Sequence, residues 1–579
     1  MRHHTKRFLP GVLLLALVSA AALLLAEPGE VSAPPEAPYD VIITGGRVID
    51  GTGNPWFYGD VAIRGDRIAR ITPAGLLGDA PARERIDARG LVVAPGFIDI
   101  QSHARGAFLT GDGRVISKVT QGITTEILGE GWTNAPANER TLSIAGSVDP
   151  ETRRLTQEFT AAHGFNNWLE AMQRHGTSAN FGSFLGATTV RMYVKGMAQG
   201  APTADELEAM RTLVRQAMED GAFGIATALI YPPGNFATTE ELVEMAQGMA
   251  PYGGVYITHM RSEADQFLKA IDEALEIGRK GGVPVEIYHL KAAGRRNWHK
   301  AALAIARINA ARAEGQDVGA DMYPYTAGGT GLTACLPPWA SADGKLFDNL
   351  SDPQMRAQIR AEVLNQTTEW ENLCTLATPE GVLIVGLDKP ENKQFNSKRL
   401  AEIAALQGKE WLDAAIDLIL SERQRVGTIY FMMTEENVQR QMRQPWIKFG
   451  TDAGGFDPES TTELVHPRSY GTYPRILGKY VREERVMPLE EAIRKMTSAV
   501  ANRLSIRERG LLREGMYADV VVFDANTIGD RASFEKPHQL SVGMRYVFVN
   551  GTAVVRDGTH SGATPGRIVR GPGYKGATR

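Results

Sequence analysis

From Gly96 to Gly455, short apolar runs alternate with longer stretches of helical period, and each run stops at a polar or turn-forming residue. The runs are "GFIDIQSH", "GITTEILGE", "NFGSFLGAT", "FGIATALIY", "GVYITH", "PVEIYH", "DVGADMYPY" and "WIKFGTDAGG". Between them, "TADELEAMRTLVRQAMED" (203–220), "EADQFLKAIDEALEIGRKG" (263–281) and "WHKAALAIARINAARAEG" (298–315) repeat apolar positions at helical spacing. Strand and helix in alternation predict β-α units. Eight such units predict a closed (β/α)8, TIM-like barrel over residues 95–504, since a doubly wound sheet usually stops at fewer strands.

The two ends of the chain follow a different pattern. Residues 39–94 read as short strands broken at "GG", "GD" and "RG", and residues 505–570 include "ADVVVFDA" and "MRYVFVNGTAVVRDG", the latter with an Asn-Gly hairpin signal. Together they predict a small β-sandwich domain composed of both ends. More than a hundred residues, Thr326 to Pro445, separate the seventh and eighth runs. They contain helical stretches of their own, so residues 338–430 are expected to form an inserted, lid-like subdomain.

Composition changes this picture little. The chain has 579 residues, 43% apolar and 22% charged, with a net charge of -4 and no long charged run. That argues for two or three domains and against nucleic acid as a partner. The N-terminus adds more. A basic "MRHHTKRFLP" leads into the uncharged "GVLLLALVSAAALLLA" and then a Pro-rich stretch. This predicts a signal peptide or N-terminal anchor at 1–27 and a linker at 28–38, with the body periplasmic or secreted. The membrane becomes a partner only if that segment stays uncleaved. The two cysteines, Cys335 and Cys374, are read as buried free thiols rather than as a pair.

In a (β/α)8 barrel the chemistry gathers at the C-terminal ends of the strands. Here those ends carry His103, Glu130, His259, His289 and Asp452. His259 and His289 end consecutive strands, and neighbouring strands lie ~4.8 Å apart, within reach of one ion. Imidazole and carboxylate together are ligands that zinc accepts. Glu126, four residues before Glu130 on the same strand face, is a rival ligand.

The blocks "PGFIDIQSH", "GITTEILGEGW", "GVYITHMRSE", "PVEIYHLKAAG", "DMYPYTAGGTGL", "LPPWA", "GTDAGG", "HPRSYGTYPRILGKY" and "RKMTSAVANRLSIRERGLLREGMYADVVVFD" resemble the amidohydrolase superfamily, and within it the D-aminoacylase (N-acyl-D-amino-acid deacylase) branch. The resemblance implies a hydrolase of C–N amide bonds acting on a small N-acyl amino acid. It implies a tight Zn2+ site at Glu130, His259 and His289. A second site would draw on Asp452 and a His-x-His motif, but this chain has Gln101-Ser102-His103. An amide oxygen binds zinc poorly beside imidazole, and Arg105 is nearby. One firmly bound Zn2+ is therefore expected, with the second site, His103, Asp452 and Gln101, weak or absent.

The resemblance further implies that Asp452 takes the proton of a zinc-activated water and delivers it to the leaving amine. Lys291, Tyr323, Tyr325 and Arg468 would bind the substrate's carboxylate. Strand alternation favours only one of the two tyrosines facing inward. If the uncharged "TAGGTGLTACLPPWA" lines the side-chain pocket, hydrophobic substrate side chains are favoured over acidic ones. Two alternatives remain: a related cyclic amidase or dipeptidase, and a noncatalytic periplasmic binding protein with a decayed site. No role falls to His163, His175, His299, His538 or His560, and His466 is read as orienting its loop.

Overall fold

The structure, a computed structural model, describes residues 38–144, 150–365 and 369–576. The expected signal at 1–27 and residues 28–37 of the linker lie outside them. All eight apolar runs form barrel strands: β1 (Phe97–Asp99), β2 (Ile123–Leu128), β3 (Asn180–Ser183), β4 (Gly224–Ala228), β5 (Val255–His259), β6 (Val285–Ile287), β7 (Val318–Met322) and β8 (Ile447–Phe449). β1, β2 and β3 pair in parallel. The chain of β3 continues into Leu185–Gly186, which pairs with β4. From there parallel pairing runs through β5, β6 and β7 to β8.

The ring closes at the mouth. Ser102 bridges Ala453 in parallel, His103 N donates to Ala453 O over 3.0 Å, and Asp452 N donates to Gln101 O over 2.8 Å. Closure thus brings the ends of β1 and β8 side by side, which places His103 against Asp452.

The three predicted helices are present as α1 (Ala204–Glu219), α2 (Phe267–Gly281) and α3 (Lys300–Ala313). α1 starts at a capping box between Thr203 and Glu206. α2 starts later than its pattern predicts, because residues 263–266 stay in the loop. There Ser262 Oγ accepts the backbone N–H of Ala264 and of Gln266, and Glu263 turns towards the barrel mouth.

Deeper in the barrel lies a layer of buried charge. Lys118 Nζ sits 2.7 Å from Asp99 and 3.2 Å from Glu126, and Lys448 Nζ sits 2.8 Å from Glu286. Such buried ions persist because each is paired.

Among the described residues, strands from both chain ends build one nine-stranded sheet. Val520–Phe523 pairs antiparallel with Val92–Pro95, which joins the two ends. Val41, Ile43, Val61, Ile63, Val520, Val522 and Phe548 fill its core. The predicted Asn-Gly hairpin joins Met544–Val549 to Thr552–Arg556, with positive φ at Asn550 and Gly551. Pro565 and Ile568 leave the sheet and bridge Thr177 and Phe181 at the start of β3.

The insertion holds the expected helices, among them Pro353–Leu364 and Trp411–Glu422, and a sheet that the pattern did not reveal. In that sheet Gly427–Phe431 pairs antiparallel with Ala327–Gly331 on one side and Val382–Gly386 on the other. The first of these strands reads "AGGTG", and glycine disguises a strand because it offers no side chain to pack. Two expectations are corrected here. Cys335 and Cys374 form a disulfide, their Cα atoms 5.1 Å apart, because the segment after "AGGTG" packs against the helix Leu373–Ala377. Leu332, Cys335, Leu336 and Ala340 are consumed in the insertion's own core, with Ile359, Ile384 and Ile416, and so do not line a side-chain pocket. Among the described residues no helix is long and apolar enough to cross a membrane.

Candidate metal centre and active site

Glu130 sits on the turn after β2, between Gly129 and Gly131, both at positive φ. A Cβ on Gly129 would lie 2.3 Å from Phe184 O, so only glycine lets this turn pass and carry Glu130 over the mouth. His259 is the last residue of β5. His289 follows β6 at φ 32°, an unusual conformation held by its backbone N–H donating to Asp321 Oδ1 over 2.9 Å.

These three side chains converge. Glu130 Oε1 is 2.9 Å from His259 Nδ1 and 3.5 Å from His289 Nε2. The two imidazoles meet edge to face, with ring centroids 4.4 Å apart. Their candidate donor atoms fall within 4.8 Å of one another, the spacing of a common cation site. His103, Glu130 and Asp452 form a second such group, sharing Glu130. Electrostatics agree with the geometry. Burial pushes the Glu130 carboxyl up, yet hydrogen bonds from His103, His259 and His289 hold it well below the usual carboxylate range. Burial works against a charged His289, yet Glu263 and Glu130 raise it well above the usual imidazole value. The pocket therefore stabilises positive charge among these donors.

Asp452 follows β8, also at positive φ (50°), with its backbone fixed by Gln101 O. Its carboxylate is gripped from two sides: Oδ1 is 2.8 Å from His103 Nε2 and Oδ2 is 2.7 Å from Arg468 Nη1. Burial pushes its carboxyl up, but Arg468 and His103 outweigh this and hold it at about 2. Gln101 is buried and donates its amide to Glu130 Oε2 over 2.5 Å.

The chain belongs to the amidohydrolase family. That family matches residues 84–555, and the barrel with paired strand-end imidazoles stands within the match. The chain is 36% identical to a D-aminoacylase of Alcaligenes xylosoxydans xylosoxydans over 535 residues, 92% of this chain and 98% of that one. A solved D-aminoacylase, described by a binuclear metal centre with one-metal activation and second-metal attenuation, superposes with TM-score 0.76 at 35% identity, covering 92% of this chain and 100% of its own. The N-acyl-D-glutamate deacylase of Bordetella bronchiseptica, solved with zinc and a phosphonate mimic of the tetrahedral intermediate, does so with TM-score 0.76 at 33% identity and the same coverage.

The remaining candidates separate into two groups. Tyr323 faces inward, its ring under Lys291 Nζ at 5.7 Å and Arg468 Cζ at 4.7 Å. Arg468 is buried; its Nη1 is taken up by Asp452 Oδ2 at 2.7 Å, while its Nε has no hydrogen-bond acceptor. Tyr325 is placed differently: its hydroxyl turns to Pro467 O at 3.4 Å and Arg475 stacks 4.9 Å over its ring, although it borders the same cavity as His289, Lys291 and Tyr323. Glu126 is a correction. It is fully buried below the mouth, accepts from Ser102 Oγ and pairs with Lys118, so it is not available to the metal cluster.

His466 orients its loop as expected. Nδ1 accepts Arg468 N over 3.0 Å and Nε2 donates to Ala327 O over 2.9 Å. Burial and Arg468 push its imidazole well below the usual value, in keeping with that neutral form.

The sequence reading missed Glu263. Its Oε1 lies 2.9 Å from His289 Nδ1 and 2.6 Å from Lys291 Nζ. The signal was its position four residues after His259, at the start of a stretch whose helical period absorbed it.

Proposed function

We propose that the chain hydrolyses N-acyl-D-amino acids to a D-amino acid and a carboxylate, using one Zn2+ held by Glu130, His259 and His289. The observation that carries this is the meeting of those three donors beside an Asp452 fixed between His103 and Arg468. The residues fit zinc. Two imidazoles and one carboxylate are a zinc donor set, and the contact of His289 Nδ1 with Glu263 leaves Nε2 to face the cluster.

Zinc bound there supplies an acidified water and polarises the amide carbonyl. Asp452, ionised at neutral pH, accepts the water's proton and hands it to the departing nitrogen. His103 and Arg468 keep its two oxygens in place. The unpartnered Nε–H of Arg468 suits an acceptor that a substrate α-carboxylate provides, with Lys291 and Tyr323 beside it. One metal rather than two is favoured because Gln101 puts an N–H donor on Glu130 where a second ligand would stand. A cyclic amidase with two metals bridged by a fourth-strand lysine is disfavoured, since β4 is "GIATA".

We place the protein in the periplasm or outside the cell. The apolar N-terminal run and the Cys335–Cys374 disulfide both favour an oxidising compartment.

Paired N-acetyl-D- and N-acetyl-L-amino acids, with zinc assayed on the same sample, test the reading. Release from the D series is expected, with about one zinc per chain. Release from the L series alone would overturn it.

A further inference from the structure

Lys291 and Arg468 each have an acidic neighbour, Glu263 and Asp452. Two other arginines at the mouth have none. Arg105, in the loop after β1, is exposed and gives one N–H to Trp132 O over 2.7 Å. Arg425, just before the insertion strand Gly427–Phe431, is exposed and has no hydrogen-bond or ion-pair partner among the described residues.

A continuous wall joins them. The Trp132 ring lies 5.7 Å from Tyr231, and Tyr231 lies 5.4 Å from the His259 ring. The Tyr231 hydroxyl donates to Thr330 over 2.8 Å, and Arg425 Cγ passes 3.3 Å from where a Cβ on neighbouring Gly331 would stand. The wall thus borders the metal cluster on the His259 side, whereas Lys291 and Arg468 hold the side of His289 and Asp452. Arg105 is fixed to Trp132 at one end of this wall and Arg425 lies against Gly331 at the other. Guanidiniums without an acidic partner along one wall of the metal cluster are complemented by an anion.

We propose that Arg105 and Arg425 form an anion subsite that takes a second carboxylate on the substrate. This rests on the deacylase reading above and deepens it. The second carboxylate has two sources, an acidic D-amino-acid side chain or a dicarboxylic acyl group, and both present the same chemistry to the arginines. The fate of Leu332, Leu336 and Ala340 supports the assignment, because the apolar residues expected to line a side-chain pocket are buried in the insertion.

Two substrate pairs test the subsite on wild type, R105M and R425M. N-acetyl-D-glutamate against N-acetyl-D-glutamine reads the side chain, and N-succinyl-D-leucine against N-butanoyl-D-leucine reads the acyl group. We expect wild-type kcat/KM to favour the dianion roughly tenfold or more in one pair, and each substitution to cut that ratio about tenfold. The pair that responds identifies the source. Ratios near one in both pairs, or a preference that survives both substitutions, would overturn the inference while leaving deacylation intact. If none of the four compounds turned over, the deacylase reading would fail. Calorimetric binding of the same compounds would still decide the subsite, and dianions binding no tighter than their neutral partners would overturn it.

Discussion

The side-chain amide of Gln101 donates to Glu130 Oε2 over 2.5 Å, beside the group formed by His103, Glu130 and Asp452. A Gln101→His substitution removes that donor and adds a ligand beside His103 and Asp452. The variant should bind about two zinc ions per chain where wild type binds about one, read by elemental analysis after dialysis. Unchanged stoichiometry would show that Gln101 is not what limits the site.

Asp452 Oδ1 and Oδ2 face His103 and Arg468. An Asp452→Asn variant keeps the shape but cannot accept the proton. Its kcat should fall by about 10²–10⁴, with the zinc content retained. Full activity in the variant would remove Asp452 from the chemistry.

Glu263 touches no substrate position in this account. It acts through His289 Nδ1 and Lys291 Nζ. Its change to Gln should weaken zinc affinity by about 10–100-fold, measured by competition with a chelator. Activity should return when excess zinc is supplied, which a merely unfolded variant would not show.

Glu371 reaches from the insertion to the loop after β5, where Oε1 accepts Ser262 Oγ over 2.9 Å and the backbone N–H of Glu263. Burial and the charge of Glu263 push its carboxyl up to about 7, from an ordinary 4.5. The folded protein thus keeps a proton between those values that the unfolded chain has lost. The contact is strongest below the ordinary value and weakens as pH rises through about 7. Protection factors over residues 369–374, corrected for the intrinsic pH dependence of amide exchange, should be higher near pH 5.5 than near 8.5, a difference that Glu371→Gln should abolish.

The Cys335–Cys374 disulfide closes a loop within the insertion. Replacing both cysteines by serine should cost about 2–4 kcal/mol, read as a lower unfolding midpoint of the insertion. A midpoint equal to wild type would mean that packing alone sets the insertion's stability.

The barrel was legible because its strands are continuous apolar runs that stop at polar ends, so His103, Glu130, His259, His289 and Asp452 announced themselves by position. The insertion was half legible. Its helices show a period, whereas "AGGTG" hides a strand and the pairing of two distant cysteines is set by packing. Tyr323 and Tyr325 show the limit at a single strand end: alternation says that one faces inward, and only the placement of Arg468 and Pro467 says which. Glu371 was illegible because its stretch gives no hint of the distant loop it meets, and Glu263 was hidden because the helical period that follows it masks its place four residues after His259.

Glu130, His259 and His289 are proposed to share one cation. Anomalous diffraction at the zinc edge from crystals of the full chain tests it most directly. The account predicts one strong peak at about 2.0–2.2 Å from a Glu130 oxygen, His259 Nδ1 and His289 Nε2. A peak bound elsewhere, or none in a preparation that turns over substrate, would contradict it.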